Sequence, residues 1–281
     1  MNIPEVFKRS RFGSELIGDL SFLIREPADV YHFKANEYLS SHQLADFRRC
    51  AEHYHKKQTG LIQDTDRPAY FIGRATHTLI LEGREPYERE YAVGGPINPK
   101  TGKPYGSRTL KFTQWAEAQG RPVLSEDQAS LIEAMNVSVH GHKKASDLIS
   151  RGVAEGVIRT DYCGVPSQSR IDWINPGKGI VDLKTCENLD WLQMDAKSYG
   201  YLHQLAFYRA MVALVTDIVL PVYLIAVEKR EPNRCGVWRM GEDVLAIAQR
   251  DNEEAIERLK QCRVQDYWPS GYEEIRVFDS I

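Results

Sequence analysis

The chain is poor in cysteine: among 281 residues only Cys50, Cys163, Cys186, Cys235 and Cys262 occur, each alone. There is no CxxC pair and no spacing suited to zinc or an iron–sulfur cluster, and an odd, dispersed count suits a reducing compartment better than a disulfide framework. Long apolar runs are missing too. Nothing approaches the roughly 20 residues that a membrane-spanning helix needs. Residues 1–13 carry Lys8, Arg9 and Arg11 but no apolar stretch, so they do not read as a secretory signal, and a cytoplasmic location is expected. No GxxxxGK[ST] segment occurs, which argues against an intrinsic ATP motor. No repeat or low-complexity linker divides the sequence. An irregular arm over residues 1–35, a short helix at most, and a single domain over 36–281 are the simplest division. Excess positive charge is also absent: the formal net charge is −3. A polyanionic partner would therefore have to meet basic residues concentrated locally. The segment from Pro99 to Lys111, with Lys100, Lys103, Arg108 and Lys111 and no acid, is such a concentration, with a solvated loop as the competing reading.

The composition that is present, 42% hydrophobic and 27% charged, is that of a folded globular chain. Ser40 or Ser41 caps an expected helix to about Lys57, with Leu44, Phe47 and Tyr54 inward. Gly73 to Leu81 reads as a second helix, Tyr87 to Val93 as a strand, and 94–107, rich in proline and glycine, as a loop. Leu110 to Gln119 and Ser125 to Ile149 read as helices, the latter opened by a Ser125/Gln128 capping box. The texture then changes. Segments 155–162, 168–174 and 179–185 are rich in β-branched and aromatic residues and separated by strong turn signals, which predicts a β-meander. A helix from Trp191 to Val215, strands at 222–228 and 236–240, and a helix over 242–262 complete a mixed α/β pattern.

The second and third strands carry the chemistry. A loop at Asn175–Gly179 pairs Ile174 with Ile180, so Asp172 falls opposite Asp182 and Arg170 opposite Lys184. Asp182 and Lys184, two apart, share a face. Carboxylates facing each other across a hairpin repel unless a cation lies between them. A hard divalent ion such as Mg²⁺ suits two convergent carboxylates plus water, and Lys184 is placed to reach a phosphate beside it. The alternative, surface ion pairs with Arg170 and Lys184, is disfavoured by Val181 and Leu183 on the other face and by the helix that follows at once.

Arg170-Ile171-Asp172-Trp173-Ile174 followed by Val181-Asp182-Leu183-Lys184-Thr185 resembles the core of the PD-(D/E)xK nucleases. More narrowly it is similar to the branch of exodeoxyribonuclease VIII, RecB-type nucleases and lambda-type exonuclease. Gly73-Arg74-Ala75-Thr76-His77 resembles that family's GxxxH element. Tyr201-Leu202-His203-Gln204 with Tyr208 resembles its YxxQ or QxxxY helix, and Tyr267-Trp268-Pro269 its tail. The resemblance implies a restriction-endonuclease-like fold, a central mixed sheet and meander flanked by helices. It implies that Asp172, Asp182, His77 and the Leu183 carbonyl hold Mg²⁺, with Mn²⁺ as substitute. Lys184 would orient water or stabilise the phosphate, its pKa lowered by desolvation. Glu155 would be an outer or second-metal carboxylate, with an edge-strand surface acid as alternative. Gln204, Tyr201 and Tyr208, on one helix face, would brace the site or touch the DNA backbone, with an ordinary packed stripe as the alternative for Tyr208.

The activity so implied is exonucleolytic, on linear double-stranded DNA from its ends, 5′ to 3′, leaving 3′ tails for phage recombination. Ring-shaped homo-oligomers and a single-strand annealing protein would be the partners, with Lys100, Lys103, Arg108 and Lys111 lining the channel. An endonuclease or a silent DNA-binding relative are the alternatives. Cys50 resembles the first ligand of the iron–sulfur members, but no cysteine cluster follows, so no cluster is expected.

Overall fold

Turn residues divide the middle of the chain as their chemistry predicts. The computed structural model describes residues 11–12, 19–63 and 68–277. Its main sheet contains β1 (Val153–Tyr162), β2 (Val165–Asn175), β3 (Gly179–Cys186), β4 (Val222–Glu228) and β5 (Cys235–Arg239), in that spatial order. β1, β2 and β3 form an antiparallel meander, β3 and β4 run parallel, and β5 returns antiparallel. Gly179 opens β3 with φ +133°, and a Cβ there would lie 2.1 Å from the Pro221 carbonyl oxygen. Only glycine lets the strand start so close to its parallel neighbour.

The helices are α1 (Ala28–Phe33), α2 (Ser41–Arg49), α3 (Ala51–Gln58), α4 (Pro68–His77), α5 (Arg84–Glu90), α6 (Leu110–Gln119), α7 (Glu126–Gly141), α8 (Lys143–Leu148), α9 (Leu192–Ser198), α10 (Tyr201–Thr216) and α11 (Glu242–Gln265). They cover both faces of the sheet. Ile174, Ile180 and Val222 pack with Leu44, Leu205, Phe207 and Met211 of the α2 and α10 layer, joined by α11. Val181, Leu183, Ile225 and Val227 pack with Ala75, Leu79, Ile132 and Met135 of the α4 and α7 layer. Double coverage explains why β4 reads as a nearly continuous apolar run, and why the polar residues of β3 stand out. In the arm, Ile24 bridges Val157 of β1, and Leu23 and Tyr31 are buried.

Three expected helices are each broken in two. The first breaks at Cys50, which is extended, with φ −165°, and whose sulfur accepts the His53 amide at 3.4 Å. The second breaks at His142, whose Nδ1 accepts the Ala145 amide at 3.2 Å. The third breaks at Gly200, left-handed with φ 72°. In the first two a side-chain acceptor starts a new helix in mid-pattern. The expected capping boxes are present: Ser40 with Gln43, and Ser125 with Gln128.

The strand expected over Tyr87–Val93 is mostly α5, and only Ala92–Val93 form a strand. Tyr87 and Tyr91 are four apart, a helical spacing, and their rings lie 5.6 Å apart. The tail docks on α3, with Trp268 stacked on His55 at 4.4 Å. Among the described residues no helix is long and apolar enough to cross a membrane.

Candidate active site

The meander brings three acids into one row. β2 and β3 adopt the expected register, Ile174 with Ile180 and Trp173 with Val181, and the ladder stops there. Asp172 and Asp182 occupy the next positions, where the strands part. In place of a ladder bond the Leu183 amide donates to Asp172 Oδ2 at 2.8 Å. On the other side of β2, Glu155 lies across from Asp172, between the pairs Ala154–Trp173 and Gly156–Ile171. Its φ is +53°, left-handed, a conformation that costs a glutamate about 1–3 kcal/mol and gathers at functional sites. Although β1 is the edge strand, the Glu155 side chain is only 15% exposed, so it is no ordinary surface acid.

The positive charges differ from the sequence reading in one respect. Arg170 does not face Lys184; it pairs with Val157 of β1, and its Nε lies 3.1 Å from Glu155 Oε2. The parting of the strands at Asp172 removes the expected pairing. Lys184 shares a face with Asp182, as expected, with Nζ 2.5 Å from Asp182 Oδ2. This is an ion-pair contact without hydrogen-bond alignment, so both Asp182 oxygens, fully buried, are without an aligned donor.

Burial pushes the Asp182 carboxyl up to about 7, with Lys184 pulling it down and Asp172 adding to the rise. Burial likewise raises Glu155 to about 8, helped by the Asp172 charge and opposed by Arg170. For Lys184, burial acts downward, but Asp182 and Asp172 outweigh it and the ammonium is held above its usual value. The depressed lysine pKa expected from the sequence is thus reversed, because its close neighbours are carboxylates.

His77 ends α4 and points into the same place. Gly73, one turn earlier, faces β3, where a Cβ would stand in ordinary contact with Thr185 Oγ1 at 3.8 Å. The histidine, four residues on, reaches the acids. His77 Nδ1 is 3.5 Å from Asp172 Oδ2, and the Leu183 main chain hydrogen-bonds the ring. Burial keeps the His77 pKa below the usual value, which favours the neutral, metal-binding form. The chain then enters a π-helical turn, Thr78–Glu82, an irregularity often found at functional sites.

α10 covers the row from one face. Gln204 Nε2 donates to the Tyr208 hydroxyl at 2.7 Å. Tyr208 is buried, and burial together with the nearby Asp172 and Asp182 charges raises its pKa well above the usual value. The Tyr201 ring centroid lies 5.3 Å from Lys184 Nζ, a cation–π contact. Lys100, Lys103, Arg108 and Lys111 are all exposed, the first two on the expected loop, Arg108 in the turn after it and Lys111 in the first turn of α6. None has a contact that places it at the acids.

Two nearby residues were not foreseen. His42 of α2 stands at the rim, open to solvent, yet surrounding protein and the Lys184 charge hold its pKa low. Glu82, exposed at the end of the π turn, adds to the negative charge felt by Glu155. Neither sits in a pattern that sequence reasoning could have used.

The donor set fits a hard divalent cation. His77, Glu155 and Asp172 each offer a ligand atom, all within 4.8 Å of one another. Asp182, ion-paired with Lys184, lies beside them. Glu155 therefore joins this convergent group more directly than the sequence implied, and Asp182 less directly.

The crystal structure of a protein from Eubacterium rectale, named "Putative exonuclease", is similar to this chain with a TM-score of 0.66 and 16% identity, over 92% of this chain and 96% of that one. Among curated proteins none matches. Residues 40–280 match the model of a family described as a PDDEXK-like domain of unknown function (DUF3799), so the chain belongs to that family and its fold is that of the PD-(D/E)xK nucleases.

Proposed function

We propose that the chain is a metal-dependent exodeoxyribonuclease that hydrolyses phosphodiester bonds in linear double-stranded DNA, starting from the ends. The observation that carries this reading is the buried row Glu155–Asp172–Asp182 beside Lys184 and His77. A protein gains no stability from crowding three carboxylates together in a largely buried place. Asp172, Glu155 and His77, with Asp182 and the Leu183 carbonyl, would hold Mg²⁺ or Mn²⁺. Bound there, such an ion supplies charge neutralisation at the phosphate and a more acidic water.

The protein's own groups do the positioning. Lys184 keeps a full positive charge next to the acids and holds a non-bridging phosphate oxygen over them. Gln204 orients Tyr208, and Tyr208 closes the apolar side of the row against water. The name of the Eubacterium rectale neighbour supports exonucleolytic rather than internal cleavage. The likeness to exodeoxyribonuclease VIII and lambda-type exonuclease favours 5′ to 3′ polarity, a ring-shaped homo-oligomer and an annealing partner in recombination. With a net charge of −3 the chain is poorly equipped to grip DNA by charge alone. A ring needs only a modest basic lining such as Lys100, Lys103, Arg108 and Lys111.

Digestion of linear and covalently closed circular duplexes in Mg²⁺ tests the reading. Loss of the linear DNA alone is expected; cutting of closed circles would make the chain an endonuclease. On end-labelled duplexes, early release of the 3′ label with the 5′ label retained would reverse the polarity.

A further inference from the structure

The cation–π contact between Lys184 and Tyr201 does not end at Tyr201. Tyr199 stacks on Tyr201, with ring centroids 5.8 Å apart and planes 28° from parallel. Gly200 between them adopts φ 72°, breaking α9 from α10 so that residues two apart bring their rings together. Tyr201 is half-buried, whereas Tyr199 is 68% exposed. A chain of charge and ring therefore runs outward from the ammonium beside the acids and ends on an aromatic ring open to solvent. Trp191 and Met194, three apart on the helical segment leading to Tyr199, are also exposed. Lys197, on the same short helix, is exposed and basic.

We infer that Tyr199 is a stacking platform for one unpaired nucleobase of the strand being hydrolysed, continuous through Tyr201 with the Lys184 phosphate site. The inference rests on the nuclease reading above and deepens it. Paired bases inside a duplex have both faces covered by neighbours, so only a terminal or separated base offers a free face to a tyrosine. Stacking on an aromatic ring is tolerant of base identity, which suits an enzyme that must pass every sequence through one site. The platform thus selects the single-stranded state of the substrate, and Lys197 supplies a charge for the adjoining backbone.

The test uses DNA duplexes with 2-aminopurine at successive positions near one end, mixed with the full chain without divalent cation so that nothing is cut. Fluorescence quenched at one terminal position is expected. Tyr199→Phe should keep the quenching and Tyr199→Ala should lose it. In Mg²⁺, Tyr199→Ala should raise KM for the duplex by roughly tenfold, the size of one lost stacking contact, and Tyr199→Phe should restore it. No quenching at any position, or equal quenching with Tyr199→Ala, overturns the platform. Digestion in Mg²⁺ without quenching removes the platform and leaves the nuclease standing. Quenching without digestion does the reverse.

Discussion

Asp172 and Asp182 face each other one position beyond the last paired residues of β2 and β3, and the Leu183 amide bonds to the Asp172 carboxylate where the ladder would have continued. The sheet gives up a regular pairing there and gains an opening bounded by acids. Lys184 reaches into it from β3 and His77 from α4.

This arrangement separates the roles of Asp182 and Lys184. Asp182→Ala removes a ligand candidate, whereas Lys184→Ala removes a cation that competes with metal for the same oxygens. Both variants should lose nuclease activity, but only Asp182→Ala should weaken Mn²⁺ binding in calorimetric titration. Equal weakening in both would overturn the division of labour.

His77 gives a second test. Its ring is partly exposed and touches Asp172 and the Leu183 main chain. His77→Ala should keep the metal-free melting temperature within a few degrees, yet lose most activity and most of the Mg²⁺-induced rise in melting temperature. A collapse of metal-free stability would make His77 a structural residue.

Much of this was legible in the sequence because the meander is defined locally. Asn175-Pro176-Gly177-Lys178-Gly179 set the turn, the turn set the register, and the register put Asp172 opposite Asp182. The parting of the strands was not legible, because it depends on a side chain, Asp172, replacing a main-chain acceptor. The turn alone therefore puts Arg170 opposite Lys184, whereas it pairs with Glu155. The left-handed backbone of Glu155 leaves no trace in residue type. The helix breaks at Cys50 and His142 and the helical Tyr87–Glu90 were hidden for a similar reason: a side-chain cap or an i, i+4 ring contact decided between conformations that pattern alone leaves close.

The acid row has a consequence for pH. Burial raises the pKa of Glu155 to about 8 and that of Asp182 to about 7, well above their unfolded values. At these two acids the folded state thus binds more protons than the unfolded one between the ordinary carboxylate range and about pH 8, and their contribution to stability falls as pH rises through that window. Without divalent ions the melting temperature should be lower at pH 8.5 than at pH 6.5, and Glu155→Gln should reduce that difference. The rise caused by Mg²⁺ should be larger at pH 8.5, since ligands must be deprotonated. A metal-free melting temperature that climbs across this range would show that the row is not buried as described.

Gly179 tests the scaffold apart from the chemistry. A Cβ at this position would lie 2.1 Å from a main-chain oxygen of Pro221, at a φ that L residues avoid. Gly179→Ala should cost about 3 kcal/mol in denaturant unfolding, the range for a backbone position that glycine alone can hold. A change below about 0.5 kcal/mol, within the range of ordinary surface substitutions, would mean that β3 can shift its start.

The most direct measurement is release of acid-soluble nucleotide from uniformly labelled linear duplex DNA in Mg²⁺, comparing the native chain with Asp172→Asn. The substitution keeps the side chain's size and removes the charge at the centre of the row, between Glu155 and Asp182. The account predicts steady release by the native chain, none when EDTA is added, and a loss of at least a hundredfold in the folded variant. Equal release by both proteins would contradict it.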